Sequence, residues 1–150
     1  MSKPLAGQAA IVTGGARGIG FGIAKRLAAE GCRIALWDLS FQPFNASTAG
    51  FTPGSMQSVD IVDLKAVERA YAATVADLGD IDILINNAGI NGPVAKTWEY
   101  PIEAWDRVLA VDLTGAFYCT RVVLPGMRER KYGRIVNIAS MAGKEGVPGI

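Results

Sequence analysis

The eight residues Thr13-Gly14-Gly15-Ala16-Arg17-Gly18-Ile19-Gly20 join an apolar run to a helix-like segment, with glycines where the chain must turn. Glycines let the backbone turn tightly and bring bare amides against a phosphate, and the N-terminus of the following helix offers partial positive charge to the same anion. Such a turn suits the pyrophosphate of a dinucleotide, although a glycine-rich turn can also serve packing alone. Asp38 adds a second, independent feature. It ends another apolar run 18 residues after Gly20, near the roughly 20-residue offset at which a carboxylate accepts from the adenosine-ribose hydroxyls. An ionised acid there repels a 2′-phosphate and favours NAD over NADP. Arg17 argues the other way, since a guanidinium near the ribose can pair with that phosphate. The strand-end carboxylate is fixed and the loop arginine is not, so NAD is the expected cofactor.

Five strand-like runs, at 8–12, 32–38, 56–60, 81–86 and 133–139, must position these residues. Helical segments alternate with them. One spans 20–30, with Ile19, Ile23 and Leu27 on one stripe. A second is capped by Asp63, buries Leu64, Val67, Ala70, Tyr71, Val75 and Leu78, and stops at Gly79. A third covers most of 102–130, with a break or kink expected near 112–115 and another near Pro125. Between 40 and 55, Pro43 and Pro53 with no sustained apolar period predict a long loop holding at most a turn of helix. A variable loop is expected over 90–100. The alternation argues an α/β fold, a doubly wound parallel sheet of Rossmann-like type, with residues 1–150 forming one NAD(P)-binding domain. The continuous apolar run at 81–86 suits the sheet centre.

Composition narrows the classes. Lys plus Arg is 15 against 14 for Asp plus Glu, so no basic field exists to recruit nucleic acid. Arg128, Arg130, Lys131 and Arg134 read as a helix C-terminus complementing its dipole. Cys32 and Cys119, both in apolar sequence, make no disulfide framework and fit a reducing compartment. Residues 1–8 lack the apolar core of a signal peptide, and no apolar stretch approaches a membrane span, which predicts a cytoplasmic protein without a membrane partner. The triplet Asn45-Ala46-Ser47 matches a glycosylation acceptor, a coincidence without a secretion route. No metal site is expected.

With Asn86-Asn87-Ala88-Gly89 after the fourth strand and Asn137-Ile138-Ala139-Ser140 after the fifth, the chain resembles the short-chain dehydrogenase/reductase family over essentially its whole length. The resemblance implies an NAD(P)-dependent oxidoreductase core in which Gly14, Ala16, Arg17, Gly18, Ile19 and Gly20 contact the cofactor. It further implies that Asp60 accepts from the adenine amino group with Ile61 beside the ring, and that Asn87, Ala88 and Gly89 line the adenosine and ribose region. Asn86 is expected to tie neighbouring strands, and side-chain amides at a strand end often only satisfy backbone groups. Ser140 matches the family's catalytic serine. A hydroxyl at the carboxyl end of a central strand lies where ligands bind in such sheets and can hydrogen-bond a carbonyl or alkoxide, although a strand-ending serine can also cap a turn.

Two features depart from the family pattern. In Val111-Asp112-Leu113-Thr114-Gly115, Asp112 stands where the family usually has an asparagine that helps hold a water in the proton relay. Ionised aspartate cannot donate, so a modest loss of activity is expected. The family's catalytic tyrosine and lysine come shortly after the serine, with a sixth strand beyond, whereas Tyr71, Tyr100, Tyr118 and Tyr132 all precede Ser140 and no histidine is present. The expectation is the N-terminal part of a longer enzyme, incomplete at its C-terminus. The implied reaction is hydride transfer between NAD(H) and a secondary alcohol or ketone, with Asp38 favouring a sugar, polyol or hydroxy acid. One alternative is an NADPH-dependent 3-oxoacyl-acyl-carrier-protein reductase. Another, if the native chain ends at Ile150, is a non-catalytic nucleotide-binding module. Val111, Phe117, Tyr118, Val122 and Val123 spread around more of the long helix than one core face needs, and the resemblance implies a homodimer or homotetramer through it.

Overall fold

The structure, a computed structural model, describes residues 3–42 and 44–146. Pro43 and Ile150, which figured in the sequence expectations, lie outside those residues. Strands β1 (Ala9–Thr13), β2 (Arg33–Asp38), β3 (Ser55–Ser58), β4 (Ile83–Asn86) and β5 (Arg134–Asn137) form one parallel sheet in the order β3-β2-β1-β4-β5. The order reverses between β1 and β4, and such a switch point opens a crevice at the carboxyl ends of the strands. The expected doubly wound α/β fold is present; β1 is as long as the run that announced it, shifted by one residue, and the other four strands are one to three residues shorter than theirs.

The strands are apolar without interruption because each supplies two cores. Successive side chains point to opposite faces, so Ile11, Ala35, Trp37 and Leu84 join Val67, Ala70 and Leu78 of α3 (Leu64–Leu78) and Val123 and Met127 of α5 (Ala116–Glu129). Ala10, Val12, Ile34, Leu36, Ile83 and Ile85 face the other way, onto Ala24 of α1 (Gly18–Ala29). Covering both faces is what an all-parallel sheet requires. Trp37 is the largest fully buried side chain. Its indole N–H donates to Thr74 Oγ1 at 3.0 Å, and the Thr74 hydroxyl donates onward to the Ala70 carbonyl at 2.8 Å. Burial pushes the Cys32 thiol up to about 11 and the Cys119 thiol up to about 12, so neither free cysteine ionises near neutrality.

Local signals account for most boundaries. Asp63 caps α3, its Oδ1 accepting from the Ala66 amide at 3.1 Å, and Gly79 ends the helix at φ +73°. Among the described residues, the 40–55 segment holds the single helical turn α2 (Ala46–Ala49), capped by Asn45. In place of a crossover helix it packs Phe44 and Phe51 around Phe21 of α1, with ring centroids 6.0–6.4 Å apart.

Two sequence expectations need correction. Ile19 is 68% exposed rather than part of a buried stripe, because α1 starts at Gly18 and meets the sheet through Gly20 and Ala24. The long helix has its expected irregularity near 112–115, as a π-helical turn, but it stops neither there nor at Pro125. It runs as α4 (Ile102–Leu109), a π-helical turn over Ala110–Gly115, and α5, which passes through Pro125. Gly115 is needed there, since a Cβ would stand 2.6 Å from Ile61 Cδ1. That continuity also overturns the expectation about apolar stretches: Ile102–Glu129, 28 residues, is long and apolar enough to cross a membrane by length and composition. Its apolarity serves two faces. Val111, Cys119, Val123 and Met127 enter the core, while Leu113 and Phe117 point outward, 65% and 57% exposed.

Thr74→Val should cost about 1–3 kcal/mol in urea unfolding, since the buried Trp37 N–H loses its acceptor. An unchanged unfolding midpoint would contradict that weight for the bond.

Candidate functional site

The site begins at Thr13, the buried last residue of β1. Its hydroxyl donates to the Ile85 carbonyl of β4 at 3.3 Å and accepts from the Asn87 and Ala88 amides, each at 3.0 Å. The Asn87 side-chain amide returns across the same seam, donating to the carbonyls of Thr13 at 2.9 Å and Gly14 at 3.3 Å. Residues 87–89 are thereby held against the glycine turn. The turn has no room for larger residues there: Gly14 sits at φ +61°, and a Cβ on Gly20 would strike the Gly14 carbonyl oxygen and stand 2.5 Å from Asn87 Nδ2.

Asp38 holds the turn from its other side. Its Oδ2 accepts from the Ala16 amide at 3.0 Å, and the Gly15 amide donates to the Trp37 carbonyl at 3.3 Å. Asp38 Oδ1 faces only the Ser40 amide, at 3.5 Å, which leaves acceptor capacity on a fixed carboxylate. The Phe21 amide bonds back to the Arg17 carbonyl at 3.1 Å. The amides of Gly18, Ile19 and Gly20 precede that first closed turn, and such amides are the natural donors for an anion.

A cleft of about 240 Å³ opens beside these groups. It is lined by Gly14, Arg17, Asp38, Asp60, Ile61, Asn87, Ala88 and Gly89, eight of the residues the sequence singled out. Ala16, Gly18, Ile19 and Gly20 build its glycine-turn border without lining it. Asp60 Oδ1 accepts from the Val62 amide at 3.2 Å, which fixes the carboxyl at the cleft wall. Ile61 is buried, with its side chain towards Gly115.

Asp112 and Ser140 lie outside the cleft lining. From the π-helical turn, Asp112 Oδ1 accepts from the Ile90 amide at 2.9 Å and so anchors the chain just beyond Gly89. An asparagine oxygen would accept the same bond, so the aspartate keeps this anchor and differs at its other atom. Ser140 is exposed. Its Oγ accepts from the Ala142 amide at 3.2 Å at the start of α6 (Ala142–Glu145), leaving the hydroxyl hydrogen to donate elsewhere. Asn86 is buried and ties strands as expected, its Nδ2 donating to Thr120 Oγ1 at 3.0 Å and Asn137 Oδ1 at 2.8 Å.

Sequence reasoning missed several residues. Thr13 was read only as the start of the turn, although a polar residue closing a buried apolar strand was a visible signal. Leu39, Val59, Arg107 and Val111 also line the cleft. Nothing in the local pattern of 102–115 marks Arg107 as facing it.

A parallel sheet with a glycine turn at its switch point and an acid ending β2 defines a dinucleotide-binding α/β protein. Comparison with known proteins agrees. Residues 8–150 match the short chain dehydrogenase family model. The chain is 48% identical over 143 residues to the 2-dehydro-3-deoxy-L-rhamnonate dehydrogenase (NAD(+)) of Sphingomonas sp. (strain SKA58), covering 95% of this chain and 57% of that protein. It is 39% identical over 145 residues to the D-beta-hydroxybutyrate dehydrogenase of Cupriavidus necator, covering 93% and 55%. The crystal structure of NAD+-bound xylitol dehydrogenase is similar with a TM-score of 0.91 at 37% identity, over 98% of this chain and 58% of that one. The chain thus spans a little over half the length of these relatives. It belongs to the short chain dehydrogenase family.

Thr13→Val, nearly isosteric, removes the shared acceptor of two backbone amides and should destabilise the fold by about 2 kcal/mol or more, whereas Thr13→Ser should stay near wild type. Urea unfolding of both variants checks this. Equal stability of Val and wild type would refute the seam's importance.

Proposed function

We propose that this chain is the cofactor-binding part of an oxidoreductase that transfers a hydride between NAD(H) and a secondary alcohol or ketone, of the sugar-acid, polyol or hydroxy-acid class. The observation that carries the cofactor choice is the Asp38 carboxylate. It lines the cleft at the end of β2, and the Ala16 amide holds one of its oxygens in place. A fixed anion at that point accepts from ribose hydroxyls and repels a 2′-phosphate. The names of the similar proteins support the same choice, one carrying NAD(+) and one structure being NAD+-bound.

The residues fit the cofactor's parts. Free amides at the start of α1 would receive the diphosphate, Asp38 the adenosine ribose, and Asp60 with Ile61 the base. When bound, the nicotinamide supplies the hydride chemistry. This chain's own contribution is position: Ser140 would donate to the substrate oxygen, and Asp112 holds the segment after Gly89 in place. The tyrosine and lysine that the resemblance implies for proton transfer are not among these residues. The substrate class follows the sugar-acid and hydroxy-acid relatives.

A homodimer or homotetramer belongs to the same proposal. Ile102, Trp105, Leu109, Leu113, Phe117 and Leu124 leave an exposed apolar stripe along the whole helix. A stripe of that length is suited to the same helix of a second copy. Buried unpaired thiols suit a reducing cytoplasm.

A second reading, an NADPH-dependent 3-oxoacyl reductase, draws on Arg17, which lines the cleft together with Asp38. It also draws on 39% identity over 146 residues to the acetoacetyl-CoA reductase of Shinella zoogloeoides. Following absorbance at the nicotinamide band with both cofactors against sugar-acid, polyol, hydroxy-acid and 3-oxoacyl substrates separates the two. The intact protein should prefer NAD by about tenfold or more, and Asp38→Ala should shrink that preference. A clear NADP preference would sink the first reading, and binding without turnover on any substrate would favour a non-catalytic module.

A further inference from the structure

Arg107 lines the cleft but takes no part in the Thr13 seam or in the bonds that hold the glycine turn. It lies on α4 one turn before Val111, and both border the same cleft as Asp60 and Ile61. Among the described residues, the ion pairs of the protein involve Arg26 and Arg130, and no hydrogen bond engages the Arg107 guanidinium. A helix end does not explain its position either. The chain continues from Leu109 through the π-helical turn into α5, so there is no row of open carbonyls for a cation to meet. A solvated surface arginine needs no partner, but this one borders a concave site.

The charged residues that line the cleft are Arg17, Asp38, Asp60 and Arg107. Asp38 is tied to the glycine turn through the Ala16 amide, where a diphosphate and ribose would sit. Ile61, next to Asp60 in the chain, shares a core cluster with Val111, one turn beyond Arg107. A flat heteroaromatic base placed against Ile61 and Val111, with its amino group towards Asp60, leaves one face towards solvent. Leu39, 60% exposed, Ile90, 40% exposed, and the aliphatic stem of Arg107 are apolar groups that line the cleft near solvent. Guanidinium groups are planar, weakly hydrated and stack on π faces, which an ammonium does not do.

We infer that Arg107 is a further cofactor-binding residue, whose guanidinium plane covers the adenine base and holds it against the Val111 side of the cleft. This rests on the reading of the cleft as an adenosine site. Its contribution is to the base, not to the phosphates, so it raises affinity for NAD(H) and NADP(H) alike and leaves the choice between them to Asp38. It also explains an arginine that ion pairing and helix capping leave without a role.

The test is calorimetric titration of the intact protein with ADP-ribose, at low and high salt, for wild type, Arg107→Ala and Arg107→Lys. Wild type should bind, Arg107→Ala should bind about fivefold more weakly, and Arg107→Lys should recover only part of the loss. The loss should persist at high salt, because stacking is screened far less than a phosphate contact. Urea midpoints of the exposed-site variants should match wild type, which excludes a folding defect as the cause. Unchanged affinity in Arg107→Ala, full recovery by lysine, or a loss that vanishes at high salt would each overturn the assignment. If wild type itself binds no ADP-ribose, the adenosine-site reading falls first and this inference with it.

Discussion

The Thr13 hydroxyl is the interaction on which the site depends. One buried oxygen links β1 to β4 through the Ile85 carbonyl and the Asn87 and Ala88 amides. Those are the two strands between which the sheet reverses its winding, where a crevice opens beyond the strand ends. A parallel ladder ends at the last paired residue, and beyond it backbone groups need other partners. Thr13 and the Asn87 amide supply them, and in doing so set the glycine turn and residues 87–89 edge to edge. Asp38 closes the third side by accepting from Ala16. Three strand ends are thus joined by side-chain-to-backbone bonds before any ligand arrives, which is the preorganisation that lets a site bind without ordering its own loops.

The same bonds make residues bifunctional. Asp38 both ties the turn and faces the cleft, so replacing it to change cofactor choice also loosens the turn. Asn87 holds two carbonyls with its Nδ2 and lines the cleft as well. For Asp38 and Asn87, holding the backbone and lining the cleft are therefore not alternatives. Ser140 shows the same pattern, capping the turn to α6 through its oxygen while its hydrogen remains free to donate.

Much of this was legible in the residues. The glycine spacing, the Asp38 offset, the Asp63 cap and the alternation of apolar runs report local backbone requirements, and these survive folding because they are local. What was not legible depends on geometry between elements. The start of α1 at Gly18 turned Ile19 outward, because the helix meets the sheet through small residues rather than a bulky stripe. The π-helical turn at Ala110–Gly115 breaks the 3.6-residue period on which face assignments rest. The residues there announce a break or kink, and the chain meets it by keeping its helix and shifting its faces. Val111 reaches the cleft and Gly115 admits Ile61 in that segment, and Arg107 reaches the cleft from the turn just before it. Thr13 was hidden for a different reason. A threonine at a strand end is ordinary, and only the positions of β4 and its following residues reveal how many groups its oxygen serves.

An NAD-type dinucleotide should occupy the cleft without rearranging the seam that builds it. A crystal structure of the intact protein grown with NAD+ tests this most directly. It should show both adenosine-ribose hydroxyls on the Asp38 carboxylate while Asp38 still accepts from Ala16, and the diphosphate over the amides of Gly18 to Gly20. A cofactor bound elsewhere, or a ribose away from Asp38 with the Thr13 and Ala16 bonds broken, would contradict it.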